Sequence, residues 1–301
     1  MVNVSKFKLM NANFEESLNL SDDSLISFME NDTNNRGIYN GKNKIGITII
    51  AIIMFGFNFF ISMIVQIGIE GKLGESTLSQ PNINFLPMWV PIGLFIVWLV
   101  IWLLLKKNNY YSISVYRRML TVNNYLVWLI LEANLFFLTF FLTTLTFLGA
   151  LTIFCFLGLT SYIIFRSKSR SLENNLFGGK SKLDKIDNFI QKLINFLFKY
   201  GWIIVIVVIL WKFIFSNTTG VRTDIVGLVG IIAMWLIVDI AFIFAEAYLF
   251  LPYLLYGYYK YKYPEEYREW EGKTQLEWYG EKYFNKHIKG TEKEEKKNDG
   301  N

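Results

Sequence analysis

The chain carries a single histidine, His287, and a single cysteine, Cys155, among 301 residues. One histidine cannot serve a Ser-His-Asp triad, an HExxH metallopeptidase helix or a His-rich zinc or iron centre. One cysteine cannot close an intramolecular disulfide or build a thiolate metal site. Because Cys155 lies in the run LTIFCFLGLT, the expectation is a small buried hydrophobe. Walker and GxGxxG phosphate-binding patterns are missing too. Gly178-Gly179-Lys180-Ser181 lacks the upstream glycine and strand-to-helix context of a phosphate loop. No cofactor and no enzymatic activity are expected.

Charge is scarce as well. Only 18% of residues are charged, against roughly a quarter in soluble domains, while 53% are hydrophobic and the mean hydropathy is +0.31. Apolar residues are bunched into blocks of about membrane-crossing length. The fold class expected is therefore all-α, a polytopic integral membrane helical bundle. Six transmembrane helices are expected near 45–67, 87–105, 124–143, 148–165, 201–215 and 225–256. An uncharged turn around 143–149 divides the third and fourth, because no Lys or Arg occurs between Asn124 and Phe165. Pro252 is expected to interrupt the sixth.

The remaining polar chain falls into three parts. Residues 1–44 read as a polar, mostly flexible N-terminal arm with one short amphipathic helix in SDDSLISFME, capped by Ser21 and burying Leu25, Ile26 and Met29. The basic loop 166–200 places Ile186, Phe189, Ile190, Leu193, Ile194 and Leu197 at helical spacing opposite lysines. That pattern fits an interfacial amphipathic helix over 183–199, lying on lipid or on the protein itself. Residues 257–301 form a tail of alternating aromatic and charged residues. Tyr263, Tyr267 and Trp270 there are spaced to fold against the membrane surface or the inner helix ends, and TEKEEKKNDGN is expected to be solvated.

Orientation follows from where the cations lie. Alternating assignment puts twenty-seven Lys and Arg on one side and leaves Lys72, Arg222 and Lys212 for the other. The positive-inside rule then places both termini in the cytoplasm. The same segregation explains the net charge of +5 without nucleic acid. The partners expected are the lipid bilayer and another membrane protein or a second copy of the chain, and the expected location is a bacterial plasma membrane.

A carboxylate within the hydrocarbon costs a few kcal/mol even on lenient scales, so the intramembrane acids are the natural candidates for chemistry. They are Glu132, Asp239 and Glu246, with Asn134 two residues beyond Glu132. On the first span Asn58, Ser62 and Gln66 recur every four residues as a polar stripe. Glu132 and Glu246 are expected at similar depth, where two carboxyls would share a proton or hold a cation. Lys212 is the candidate charge partner of Asp239, with a stagger of about 15 Å against it; otherwise it snorkels to the outer interface. Trp89, Trp98 and Trp102 read as interfacial aromatics. The expected function is that of an accessory or immunity-type membrane protein acting through interactions. The alternative is a transporter or channel subunit, for example an ABC-type permease half, using the intramembrane carboxylates.

Overall fold

In the computed structural model the described residues are 8–35, 44–70, 81–106, 111–178 and 225–295, with Lys192 and Phe196. The fifth span expected over 201–215, the amphipathic helix over 183–199 and Lys212 lie outside them, apart from Lys192 and Phe196. Every regular element among the described residues is helical. Two short helices, α1 (Phe14–Leu18) and α2 (Ser24–Asn35), precede α3 (Lys44–Ile69), α4 (Trp89–Lys106) and the 66-residue α5 (Tyr111–Leu176). After α6 (Ile225–Ala245) comes a π turn, Glu246–Phe250. Then follow α7 (Leu251–Lys262), α8 (Pro264–Trp270), α9 (Gln275–Tyr279) and α10 (Glu281–His287). Among the described residues three stretches are long and apolar enough to cross a membrane, Ala51–Ile69, Ser112–Leu176 and Leu228–Lys262; Trp89–Leu104 is a shorter apolar helix.

α5 is two helices folded on each other. Thr146 breaks it at φ 64°, ψ 164°, inside the 143–149 window. The reversal shows in the contacts of one side chain. Trp235 of α6 stacks on Phe137 before the break (5.2 Å) and meets Phe154 after it edge-on (5.8 Å). Both arms are longer than the expected spans of 124–143 and 148–165, because the helix begins at Tyr111 and continues to Leu176.

Pro252 does not interrupt the last long helix. The π turn widens the backbone just before it, with the Leu251 N–H bonding the Glu246 carbonyl, and the proline ring is taken into the first turn of α7. A proline inside a helix clashes with the carbonyl one turn back, and a wider turn relieves that clash.

The N-terminal segment is not a free arm. Residues 9–29 pack with the start of α5, the end of α5, α7 and the tail into one core holding Leu9, Leu20, Ile26, Tyr116, Leu172, Leu176, Tyr256 and Trp278. This core caps one end of the bundle. Tyr253, Tyr256, Tyr259 and Tyr267 are fully buried in it, each side chain contributing about 1.5–3 kcal/mol by its removal from water. The bonds that hold the N-terminal segment come from far along the chain. The Tyr259 hydroxyl donates to Leu9 O (2.5 Å) and accepts from Ala12 N–H (3.1 Å), and the Tyr267 and Ser17 hydroxyls lie 2.9 Å apart.

α2 carries the buried Leu25, Ile26 and Met29 expected of it. Its cap, however, is Asp23, whose Oδ1 accepts from the N–H groups of Leu25 and Ile26. Ser21 Oγ donates instead to Leu18 O. Of TEKEEKKNDGN only residues 291–295 are described; they are exposed, as expected, yet anchored through Glu295. Glu295 pairs with Arg268, which additionally bonds Glu265 and the Lys273 carbonyl. Of the aromatics expected to fold inward, Tyr267 does so and Trp270 stays half-exposed.

Two further expectations change place. Cys155, in the second arm of α5, is exposed rather than buried. Trp98 lies inside the bundle, its indole N–H donating to Thr121 O (3.2 Å) and its ring packed on Phe55 (4.8 Å), whereas Trp89 is exposed.

Candidate functional site

The first arm of α5 presents two polar faces. Tyr125, Trp128, Glu132 and Thr139 recur at helical spacing on one, which looks toward α3, α4 and the residues before α4. Asn123, Asn134, Phe137 and Phe141 lie on the other, which looks toward α6. Every carboxylate singled out in the sequence meets one of these faces.

On the α3 side, Trp128 Nε1 donates to Glu132 Oε1 (2.6 Å) across one turn. The Tyr125 hydroxyl lies 2.7 Å from Asn58 Oδ1 and 2.9 Å from Met54 O, and donates its one hydrogen between them. That leaves the amide end of Asn58 toward Glu132. Glu132 and Asn58 are both completely buried, and Glu132 Oε2 and Asn58 Nδ2 have no hydrogen-bond partner within bonding distance. Ser62, the next member of the stripe, donates to Leu86 O (2.9 Å), and Gln66 accepts from Asn84 (3.3 Å). The stripe therefore fixes α3 against both α5 and the segment entering α4.

On the α6 side, Asn134 Nδ2 donates to Asp239 Oδ1 (2.7 Å) and to Ile130 O (2.9 Å). Its Oδ1 accepts from Trp235 Nε1 (2.9 Å). Asp239 is buried, and its Oδ2 has no partner. About two turns nearer the cap, Glu246 in the π turn lies beside Asn123, and Glu246 Oε1 and Asn123 Oδ1 are unpartnered.

The structure thus joins Asn58 with Glu132, and Asn134 with Asp239, at one level of the bundle. It does not join Glu132 with Glu246. They face opposite sides of the first arm, and Asn123 sits nine residues from Glu132, roughly 13 Å along the axis. No shared proton between these two carboxyls is possible at that separation. Asp239 is held by an asparagine, and no described cation lies against Glu132, Asp239 or Glu246. Tyr125, Trp128, Trp235 and Asn123 complete these sites without having been singled out in the sequence. The available signals were the four-residue step from Trp128 to Glu132 and the eleven-residue step from Asn123 to Asn134.

A cavity of about 190 Å³ lies at the end away from the cap, lined by Asn82, Ile83, Phe85, Thr139, Leu142 and Thr143. None of the three carboxylates reaches it. Among the described residues no three His, Cys, Asp or Glu side chains come together as metal ligands.

The cap holds its charges differently. Lys260 Nζ lies 2.7 Å from both Glu30 Oε1 and Glu271 Oε1, with its cation against the Tyr256 (4.5 Å) and Tyr116 (5.6 Å) rings. Tyr116 also donates to Glu30 Oε1 (2.7 Å). Burial works to raise the Glu271 carboxyl, but Lys260 and Lys273 beside it prevail and hold it below the usual glutamate range. Deeper still, Lys168 pairs with Asp23 at 3.3 Å, both side chains almost fully enclosed, with the Tyr248 ring beneath the ammonium at 5.1 Å.

Comparison with protein-family models, with curated proteins and with solved structures finds no match for this chain.

Proposed function

We propose that this chain is a six-span integral membrane protein of a bacterial plasma membrane. Its capped end and both termini face the cytoplasm, and it acts without catalysis, through interactions in or beneath the bilayer, in an accessory or immunity-type role. The observation that carries this reading is the cap. Segments from both ends of the chain converge on the same three helix ends and fold there into a packed, ion-paired body. Such a body offers a shaped surface to a partner, whereas Glu132 and Asp239 inside the bundle are engaged by the neighbouring Trp128 and Asn134.

The topology has two supports. Leu176 ends α5 at the capped end and α6 starts at the opposite end, since Leu228 and Ile231 pack with Phe141 and Leu145 near the Thr146 turn. An even number of crossings with both termini on one side requires that relation. The near-complete segregation of Lys and Arg sets the side. Reporter fusions after Leu176 and after Glu295 test it: both are expected to report the cytoplasm, and an external signal from either rejects the assignment. For the role itself, expression is expected to change cellular sensitivity to a membrane-active toxin, with the effect lost when the cap is unfolded by substitution.

A second reading, transport or channel activity, draws on a separate observation: Glu132 Oε2, Asp239 Oδ2 and Glu246 Oε1 are enclosed and unpartnered. It expects Asp239→Asn to abolish flux while the protein still inserts. Undiminished flux in that variant would remove the reading.

A further inference from the structure

Asp239 is an acceptor-only group when ionised, and an ionised carboxylate out of water needs several donors or a cation. Among the described residues one donor, the Asn134 amide, lies within bonding distance, and the nearby Trp235 indole N–H is directed to Asn134 Oδ1. The orientation of the Asn134 amide is fixed, because the Trp235 indole N–H can only donate and so faces Asn134 Oδ1. The amide nitrogen must therefore face Asp239, where it donates to Oδ1. Oδ2 is left enclosed with no partner. No charged or titratable group faces it from any described element. The first arm of α5 supplies Asn134, with Phe137 stacked on Trp235, and the second arm supplies Phe154. Within the adjoining turns of α6 the residues are Trp235, Leu236, Val238, Ile240 and Ile243. Leaving a bare charge there costs far more than binding a proton.

We propose that Asp239 is a proton-binding site: the side chain is a neutral carboxylic acid at neutral pH, with its hydrogen on Oδ2 and Asn134 as the positioning residue for Oδ1. This goes beyond the interaction reading and does not depend on the transport one. The proton leaves only when water or a new donor reaches Oδ2, so its release is linked to separation of α6 from the first arm of α5.

The test uses the full-length protein in phosphatidylcholine vesicles. An infrared spectrum with isotope-labelled aspartate is expected to contain an isotope-shifted carboxylic-acid C=O stretch at neutral pH, absent from Asp239→Asn and replaced by an unshifted one in Asp239→Glu. Dicyclohexylcarbodiimide provides a chemical counterpart. The acid O–H adds across one C=N bond, the carboxyl oxygen bonding the central carbon and the proton passing to nitrogen. The acyl group then migrates from oxygen to nitrogen, so a stable N-acylurea forms and nothing is expelled. Mass mapping is expected to find the adduct on Asp239 and to lose it in Asp239→Asn. A wild-type spectrum with only ionised aspartate bands overturns the proposal, and it does so without any variant having to fold. Absence of the adduct on Asp239 in the intact protein counts against it equally.

Discussion

The ring of Tyr116 occupies the space that a side chain at position 257 would need. A Cβ built on Gly257 would come within 2.4 Å of Tyr116 Cδ1 and 2.5 Å of Cγ, far inside van der Waals contact. The start of α5 and the body of α7 can approach this closely only because residue 257 is glycine. The same approach brings the Tyr116 ring to 4.8 Å from Tyr253 and its hydroxyl to Glu30.

Gly257→Ala is therefore expected to destabilise the cap by about 1–3 kcal/mol, the usual cost of overpacking a filled core. Thermal unfolding of the two variants in lipid checks it. Pairing the substitution with Tyr116→Ala should make its added cost nearly vanish, because the clashing ring is then gone. A cost undiminished in the double variant would refute the packing argument.

Lys260 is 7% exposed and contacts two carboxylates. Removing one partner of such a buried cluster typically costs about 3–5 kcal/mol, because the charges left behind stay desolvated. Lys260→Met keeps most of the stem on the Tyr256 ring and should still fall in that range. The triple replacement with Glu30→Gln and Glu271→Gln should recover much of the loss. Proteolytic release of the N-terminal segment is a convenient readout, since Glu30 lies on α2.

The Glu271 carboxyl sits below its ordinary range in the folded cap, so the folded state binds its proton less readily than the unfolded chain does. Its stabilising effect is complete above the unfolded value and declines as pH falls through that value toward the lower folded one. Cap stability is thus expected to fall on acidification below about pH 4.5, with Glu271→Gln flattening that part of the profile. An unchanged profile in the variant would show that other groups set the acid limit.

At Thr146 a β-branched residue adopts φ 64° with extended ψ, a region that glycine alone occupies at little cost. Thr146→Gly should stabilise the turn between the arms of α5 by about 1 kcal/mol, read as a rise in unfolding temperature. A fall would mean that the Thr146 side chain contributes more than its backbone costs.

Trp235→Phe keeps an aromatic ring on Phe137 but removes the indole N–H. Asn134 Oδ1 then loses its donor and the amide is free to turn, with an expected loss of about 1–2 kcal/mol for an orphaned buried acceptor. Trp235→Leu should cost more, as the stacked contact goes too.

What the sequence reveals and conceals divides along a physical line. Long apolar runs are read by length alone, which is why α3, α4 and the long stretch from Leu228 are legible. The uncharged break near Thr146 is legible for the same reason, as are Asn58 and Asn134, being polar residues stranded among apolar ones. The partner of each carboxylate is not, because it depends on which face of α5 turns toward which neighbour. Asp239 meets Asn134, and Glu132 meets Trp128 rather than Glu246, and only the rotation of the helices decides that. The cap is hidden for a different reason. Ala12 and Tyr259 are 247 positions apart, and nothing in either segment's periodicity names the other. A polar N-terminal stretch reads as solvated until its cover is known.

That long separation also sets an order of events during synthesis. Leu9, Ala12 and Leu20 are made long before the residues that enclose them, Tyr253 to Trp278, which belong to the end of the last long apolar stretch and to the short helices after it. The cap can therefore close only once nearly all of the long apolar chain has been made, and until then the N-terminal residues lack their cover.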